Sequence, residues 1–118
     1  MTKADILRRL FKAFNEKDRP TFEALLTDDY TFTSPYDDAI DKAAFFERCW
    51  PNSDMIREQV LEKIIVEGDE AFVTYKALTQ DGRVFRNTEF FTFEGDRISS
   101  VNVYFGASYK DGVFVSQA

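Results

Sequence analysis

The chain of 118 residues has no histidine and only one cysteine, Cys49. Without histidine there can be no Ser-His-Asp triad, no Cys-His pair and none of the usual histidine-bearing zinc sites. A lone cysteine cannot close an intramolecular disulfide. Positive charge is also scarce: 15 Lys and Arg stand against 21 Asp and Glu, a net charge of −6. That balance argues against a nucleic-acid partner, because phosphate binding needs a basic surface. No apolar run approaches the roughly 18 residues of a membrane span, so no membrane association is expected. The N-terminus, MTKADILRRLFKAF, sets charges inside its apolar stretch and does not read as a signal peptide. Together these absences predict a cytoplasmic protein. They leave carboxylates, tyrosine, lysine and water for any acid–base chemistry.

What the chain does have is phenylalanine. Thirteen Phe contribute to an aromatic content of 16% and an apolar content of 44%. The length suits one domain, residues 1–118, with a single core, and the Phe content suits a filled interior or a cavity with aromatic walls. Residues 3–16 place Ile6, Leu7, Leu10, Phe11 and Phe14 on one helical face. Pro20 opens a short helix through TFEALL, and TDD ends it. YTFTS alternates Tyr30, Phe32 and Ser34 against Thr31 and Thr33, a strand pattern, and PYDDAID follows as a loop. Asp41 caps a third helix bearing Phe45, Phe46, Cys49 and Trp50, which Pro51 stops. From residue 62 onwards, strand-like runs are cut by EGD, QDGR and EGDR, which predicts a four-stranded antiparallel meander. Helices first and strands after is α+β order. Residues 107–118 form either a further hairpin or a loose tail.

The turns assign faces. If Asp81-Gly82 is a two-residue turn, Gln80 pairs with Arg83 and Thr74 lies opposite Glu89. One face then carries Phe72, Thr74, Lys76 and Leu78 with Phe85, Asn87, Glu89, Phe91 and Phe93, and its Phe content marks it as the inside. Val73, Tyr75, Val84 and Phe90 fall on the opposite face. A second apolar face predicts a homodimer through the outer side of the sheet. Val101, Val103 and Phe105 of the last strand point inward. Ile98 has the wrong parity for this yet pairs with Phe93, which a bulge near Ser99 and Ser100 reconciles.

The helix before NEKDRPTFEALLTDDYTFTSP, the helix KAAFFERCW and the closing GRVFRNTEFFTFEGDRISSVNVYFG resemble the nuclear transport factor 2-like superfamily, in its SnoaL-like branch, over roughly residues 3–106. The resemblance implies a cone-shaped, cystatin-like α+β barrel, with N-terminal helices packed in a curved, mainly antiparallel sheet around a pocket. Activities in that superfamily include ketosteroid isomerisation, polyketide ring closure, epoxide hydrolysis and dehydration, while other members only bind. The resemblance carries the isomerase's general base onto Ser34, its oxyanion-hole tyrosine onto Leu10 and its protonated acid onto Glu89. The cyclase's His and Asp fall on Val101 and Val103. Only the acid survives, which disfavours both chemistries here.

Glu89, in RNTEFFTF, is the leading candidate for catalysis. It reads in three ways: as a buried acid of raised pKa that moves a proton, as an ion-pair partner of Lys76, or as a solvated strand residue. Asn87 and Lys76 are candidate ligand contacts beside it. Tyr36, in the loop over the cone's mouth, is a further one, while Asp37 and Asp38 read as ordinary turn residues. Trp50, Phe32, Phe91 and Phe105 are core or pocket wall. The four Asp of DYTFTSPYDDAID do not match a calcium loop, so no metal is expected. These residues suggest a protein that binds a small apolar or mixed-polarity ligand. Its chemistry, if any, is cofactor-free proton transfer of isomerase, cyclase or hydratase type. The alternative is a non-catalytic dimer with a filled pocket.

Overall fold

The computed structural model describes residues 1–116. Helix α1 (Lys3–Asn15) starts at a capping box, in which Thr2 and Asp5 exchange side-chain and backbone hydrogen bonds. Its face of Ile6, Leu7, Leu10 and Phe11 is buried, as the spacing predicts. Helix α2 (Arg19–Ala24) is capped by Asp18, with Pro20 in its first turn. Strand β1 (Leu26–Ser34) begins directly after it, so Thr27, Asp28 and Asp29 lie in the strand instead of ending the helix. The expected loop after Pro35 contains a short edge strand, β2 (Asp37–Asp41), paired antiparallel with β1. Asp41 caps α3 (Lys42–Arg48), accepting from the Ala44 N–H at 2.8 Å, and Pro51 sits in the 3₁₀ turn Trp50–Met55 that follows.

Strands β3 (Ile56–Glu67), β4 (Glu70–Thr79), β5 (Val84–Glu94) and β6 (Arg97–Lys110) form the meander, and β7 (Val113–Val115) returns along the end of β6. The sheet order is β2-β1-β6-β5-β4-β3. Among the described residues only β1–β6 is parallel. The sheet is therefore mixed and mainly antiparallel, and it curves around α1 in an α+β arrangement. Phe11 of α1 meets Tyr75 and Phe91 of the sheet edge to face, with ring centroids 5.1 and 6.3 Å apart. The expected bulge is present: Thr92 pairs with Ser100 and Phe93 with Ile98, leaving Ser99 extra. Of the expected tail or hairpin over residues 107–118, residues 108–110 of β6 pair with β7 as a hairpin, and residues 117–118 lie outside the described residues.

The β4–β5 turn differs from expectation, with large consequences. It is a three-residue loop, Gln80-Asp81-Gly82, closed by Thr79 and Arg83, with Gly82 at φ +87°. The Thr79 N–H donates to the Arg83 carbonyl at 2.9 Å, and the Arg83 N–H donates to the Thr79 hydroxyl at 2.8 Å. One extra loop residue moves the register by one and turns all of β4 over relative to β5. Ala71, Val73, Tyr75 and Ala77 face inward, while Phe72, Thr74, Lys76 and Leu78 face outward. The inward face of β5 is as expected. Val73 and Tyr75 are therefore core, and the outer surface is built instead from Phe72, Ile65 and Tyr104, with the Phe90 ring tilted against Phe72 at 4.8 Å.

Candidate functional site

Between α1 and the concave side of the sheet lies a cavity of about 380 Å³. α1 supplies Leu10, Phe11 and Phe14. The sheet supplies Tyr30 and Phe32 from β1, Tyr75 from β4, Asn87, Glu89 and Phe91 from β5, and Val101, Val103 and Phe105 from β6. Because alternate residues of a strand share a face, one inward register puts all of these on the same wall.

Glu89 is the acid of this wall. Its carboxyl opens onto the cavity and is otherwise enclosed by protein. Burial pushes its pKa from 4.5 up to about 7, against the opposing pull of a hydrogen bond from Tyr75. That bond, Tyr75 Oη to Glu89 Oε2, is 2.6 Å long. The Tyr75 oxygen in turn accepts from Asn87 Nδ2 at 3.1 Å, and Asn87 Oδ1 accepts from the Gly106 N–H at 3.2 Å.

The chain of donors has one direction. A backbone N–H can only donate, so it fixes the oxygen end of the Asn87 amide. The amide nitrogen must then donate to Tyr75, whose single proton goes to Glu89. Oε2 is thus always an acceptor, and a proton on neutral Glu89 resides on Oε1. Gly106 is required at the head of this chain. A Cβ there would stand 2.0 Å from the Arg86 carbonyl oxygen, at a bulge where β6 carries an extra residue opposite β5. Tyr30 is fully buried. Desolvation chiefly, and the negative charge of Glu89 next, hold its hydroxyl pKa well above the ordinary value.

The mouth carries a second polar group. Asp37 of β2 binds the Arg48 guanidinium at 2.5 Å, and the Cys49 thiol lies 3.8 Å from the other Asp37 oxygen. Burial, then the Asp37 charge, pushes the Cys49 thiol up to about 11, so it is not a thiolate at neutral pH. Tyr36 is exposed and packs on Phe105 at 5.5 Å.

Of the residues singled out in the sequence, Glu89, Asn87, Tyr36, Phe32, Phe91 and Phe105 all line this cavity. Lys76 does not: it is on the outer face opposite Arg86, so no Lys76–Glu89 pair exists. Trp50 does not line it either. It packs behind the wall, 4.9 Å from Phe22 and 5.7 Å from both Phe14 and Phe46. Sequence reasoning missed Tyr75, which the register error sent outward, and Tyr30, treated only as a strand residue. It also set aside Asp37 as a turn residue and overlooked Arg48. The positions that the resemblance marked, Leu10, Ser34, Glu89, Val101 and Val103, converge on the cavity.

The family model described as a SnoaL-like domain matches residues 7–101. The chain belongs to the SnoaL-like domain family. Solved structures share the fold of this SnoaL-like domain. A nuclear transport factor 2-like protein of unknown function from Cytophaga hutchinsonii is 22% identical, with a TM-score of 0.73 over 89% of this chain and 90% of that one. A proposed ketosteroid isomerase from Kribbella flavida is 17% identical, with a TM-score of 0.76 over 92% and 80% of the two chains. A proposed polyketide cyclase from Sinorhizobium meliloti is 19% identical, with a TM-score of 0.71 over 88% and 100%. Comparison with curated proteins gives no match for the SnoaL-like domain. No helix among the described residues is long and apolar enough to cross a membrane.

Proposed function

We propose that the cavity binds a small, largely apolar molecule with one or two polar groups, and that Glu89 exchanges a proton with it. The observation that carries this reading is an acid with a pKa near neutrality on the wall of an aromatic cavity. Such a group is poised both to hold and to release a proton at pH 7. Tyr75 and Asn87 orient the carboxyl, leaving Oε1 to the ligand. Chemistry of isomerase, cyclase or hydratase type needs no more than this and no cofactor. The open volume weighs against the alternative of a packed interior. The outer sheet, with Phe72, Ile65 and Tyr104 exposed, supports a homodimer. Sedimentation of wild type beside Phe72→Glu checks the dimer, which the variant should split into monomers.

The test of the site is a thermal-shift screen of steroids, phenols, polyketide-like aromatics and terpenoids against wild type and Glu89→Gln. A compound class that stabilises wild type and not the variant supports the reading and supplies substrates for turnover assays. Turnover undiminished in Glu89→Gln would refute the role of Glu89.

A further inference from the structure

Among the described residues, the surroundings of Glu89 hold no cation. β4 faces it with Tyr75, β1 with Tyr30 and its own strand with Asn87; α1 contributes only Leu10, Phe11 and Phe14 to the cavity, and β6 contributes Val101, Val103 and Phe105. The only cation lining the cavity among the described residues, Arg48, is bound to Asp37 at the mouth, and Cys49 beside them is a neutral thiol. With Glu89 ionised, the cavity therefore holds one uncompensated negative charge among ring faces. A chain of net charge −6 also repels anions and draws cations towards it.

A carboxylate and aromatic faces share one complementary partner, a cation with an apolar surface. Tyr75 already donates to Oε2, a hydrogen bond that favours the ionised carboxylate. We propose that the occupant of the cavity is a small hydrophobic amine, bound as its ammonium ion against the Glu89 carboxylate. The proposal rests on the reading that this cavity is the binding site and adds the chemical class of the ligand. The ammonium supplies the missing counter-charge, so binding draws Glu89 into its ionised form and releases the proton that the free protein carries on Oε1. A neutral carbonyl ligand would do the reverse, selecting protonated Glu89 and binding more tightly at lower pH.

Isothermal titration calorimetry with benzyltrimethylammonium and its uncharged isostere neopentylbenzene separates these cases. The quaternary ammonium cannot titrate, so any pH dependence belongs to the protein. The expected result is binding at least about tenfold tighter for the ammonium than for the isostere at pH 8. Ammonium affinity should rise about tenfold from pH 6 to pH 8, as a group with a pKa near 7 ionises. Glu89→Gln should bring the ammonium down to the level of the isostere. Equal or tighter binding of the isostere by wild type, or ammonium affinity that falls as pH rises, overturns the amine assignment; both need only wild type. If neutral probes then still bind in a Glu89-dependent way, the cavity remains the binding site. If no probe of any class binds, the proposed function falls with the inference.

Discussion

Replacing Glu89 by Gln should remove a pH dependence of stability, leaving the protein little changed at low pH and more stable above neutrality. In the unfolded chain the carboxyl titrates near 4.5, and in the fold near 7. The folded state therefore holds the proton more tightly. Between these two values it binds more protons than the unfolded state, so stability falls as pH rises. The contribution is fully present below about 4.5 and is lost as pH rises through about 7. At about 1.4 kcal/mol per pH unit, the gap corresponds to roughly 3 kcal/mol in all. Of this, about 2.5 kcal/mol falls between pH 5 and pH 8. Gln has nearly the same shape, accepts from Tyr75 through its oxygen and carries no charge. Urea unfolding of both proteins at a series of pH values isolates the effect, since every other titrating group cancels in the difference. The variant should gain about 2.5 kcal/mol on wild type from pH 5 to pH 8. A difference that stays constant over this range would mean that Glu89 is solvated in the folded protein, and the account of the cavity would be wrong.

Gly106→Ala should lose more than about 2 kcal/mol in chemical unfolding, because its Cβ meets backbone and not a movable side chain. A neutral result would mean that the bulge relaxes freely. Tyr75→Phe removes the donor to Oε2 and should raise the Glu89 pKa further, read as an upward shift of its carboxyl carbon-13 titration midpoint. Lys76→Met should alter stability by less than about 1 kcal/mol, as expected for an outer-face side chain. A loss of several kcal/mol in thermal or urea unfolding would restore a buried pair with Glu89.

The elements that sequence patterns specify locally were legible. The α1 face follows from 3.6-residue spacing, the start of α3 from the Asp41 cap, and the inward side of β5 from its Phe residues. Even the Ser99 bulge followed from a parity conflict between Ile98 and the rest of β6. The facing of β4 was not legible from alternation alone, because both of its faces carry apolar residues and a single loop residue decides between them. The deciding signal was Thr79, whose hydroxyl and backbone close the three-residue loop in a way that a two-residue turn has no use for. Strand β2 escaped notice because three of its five residues are Asp, a composition that only a short edge strand tolerates. Glu89 stood out as a charge in an aromatic run. Tyr75 could be recognised as its partner only once the register was known, and the size of the cavity depends on how far α1 stands from the sheet.

The parallel pairing of β1 with β6 bears on how this chain acquires its shape during synthesis. Phe32 meets Val101 across that seam, from strands far apart in the sequence. Contacts between such distant segments form late and slow folding, because a long loop must close before they are rewarded. On the ribosome, α1 emerges ahead of every strand, with Ile6, Leu7, Leu10 and Phe11 ready to be buried, and β6 is the last of the cavity-lining strands to follow it. Until β6 follows, the apolar side of α1 lacks its final cover. The nascent chain is then most exposed to aggregation, and to capture by chaperones, just before the cavity closes.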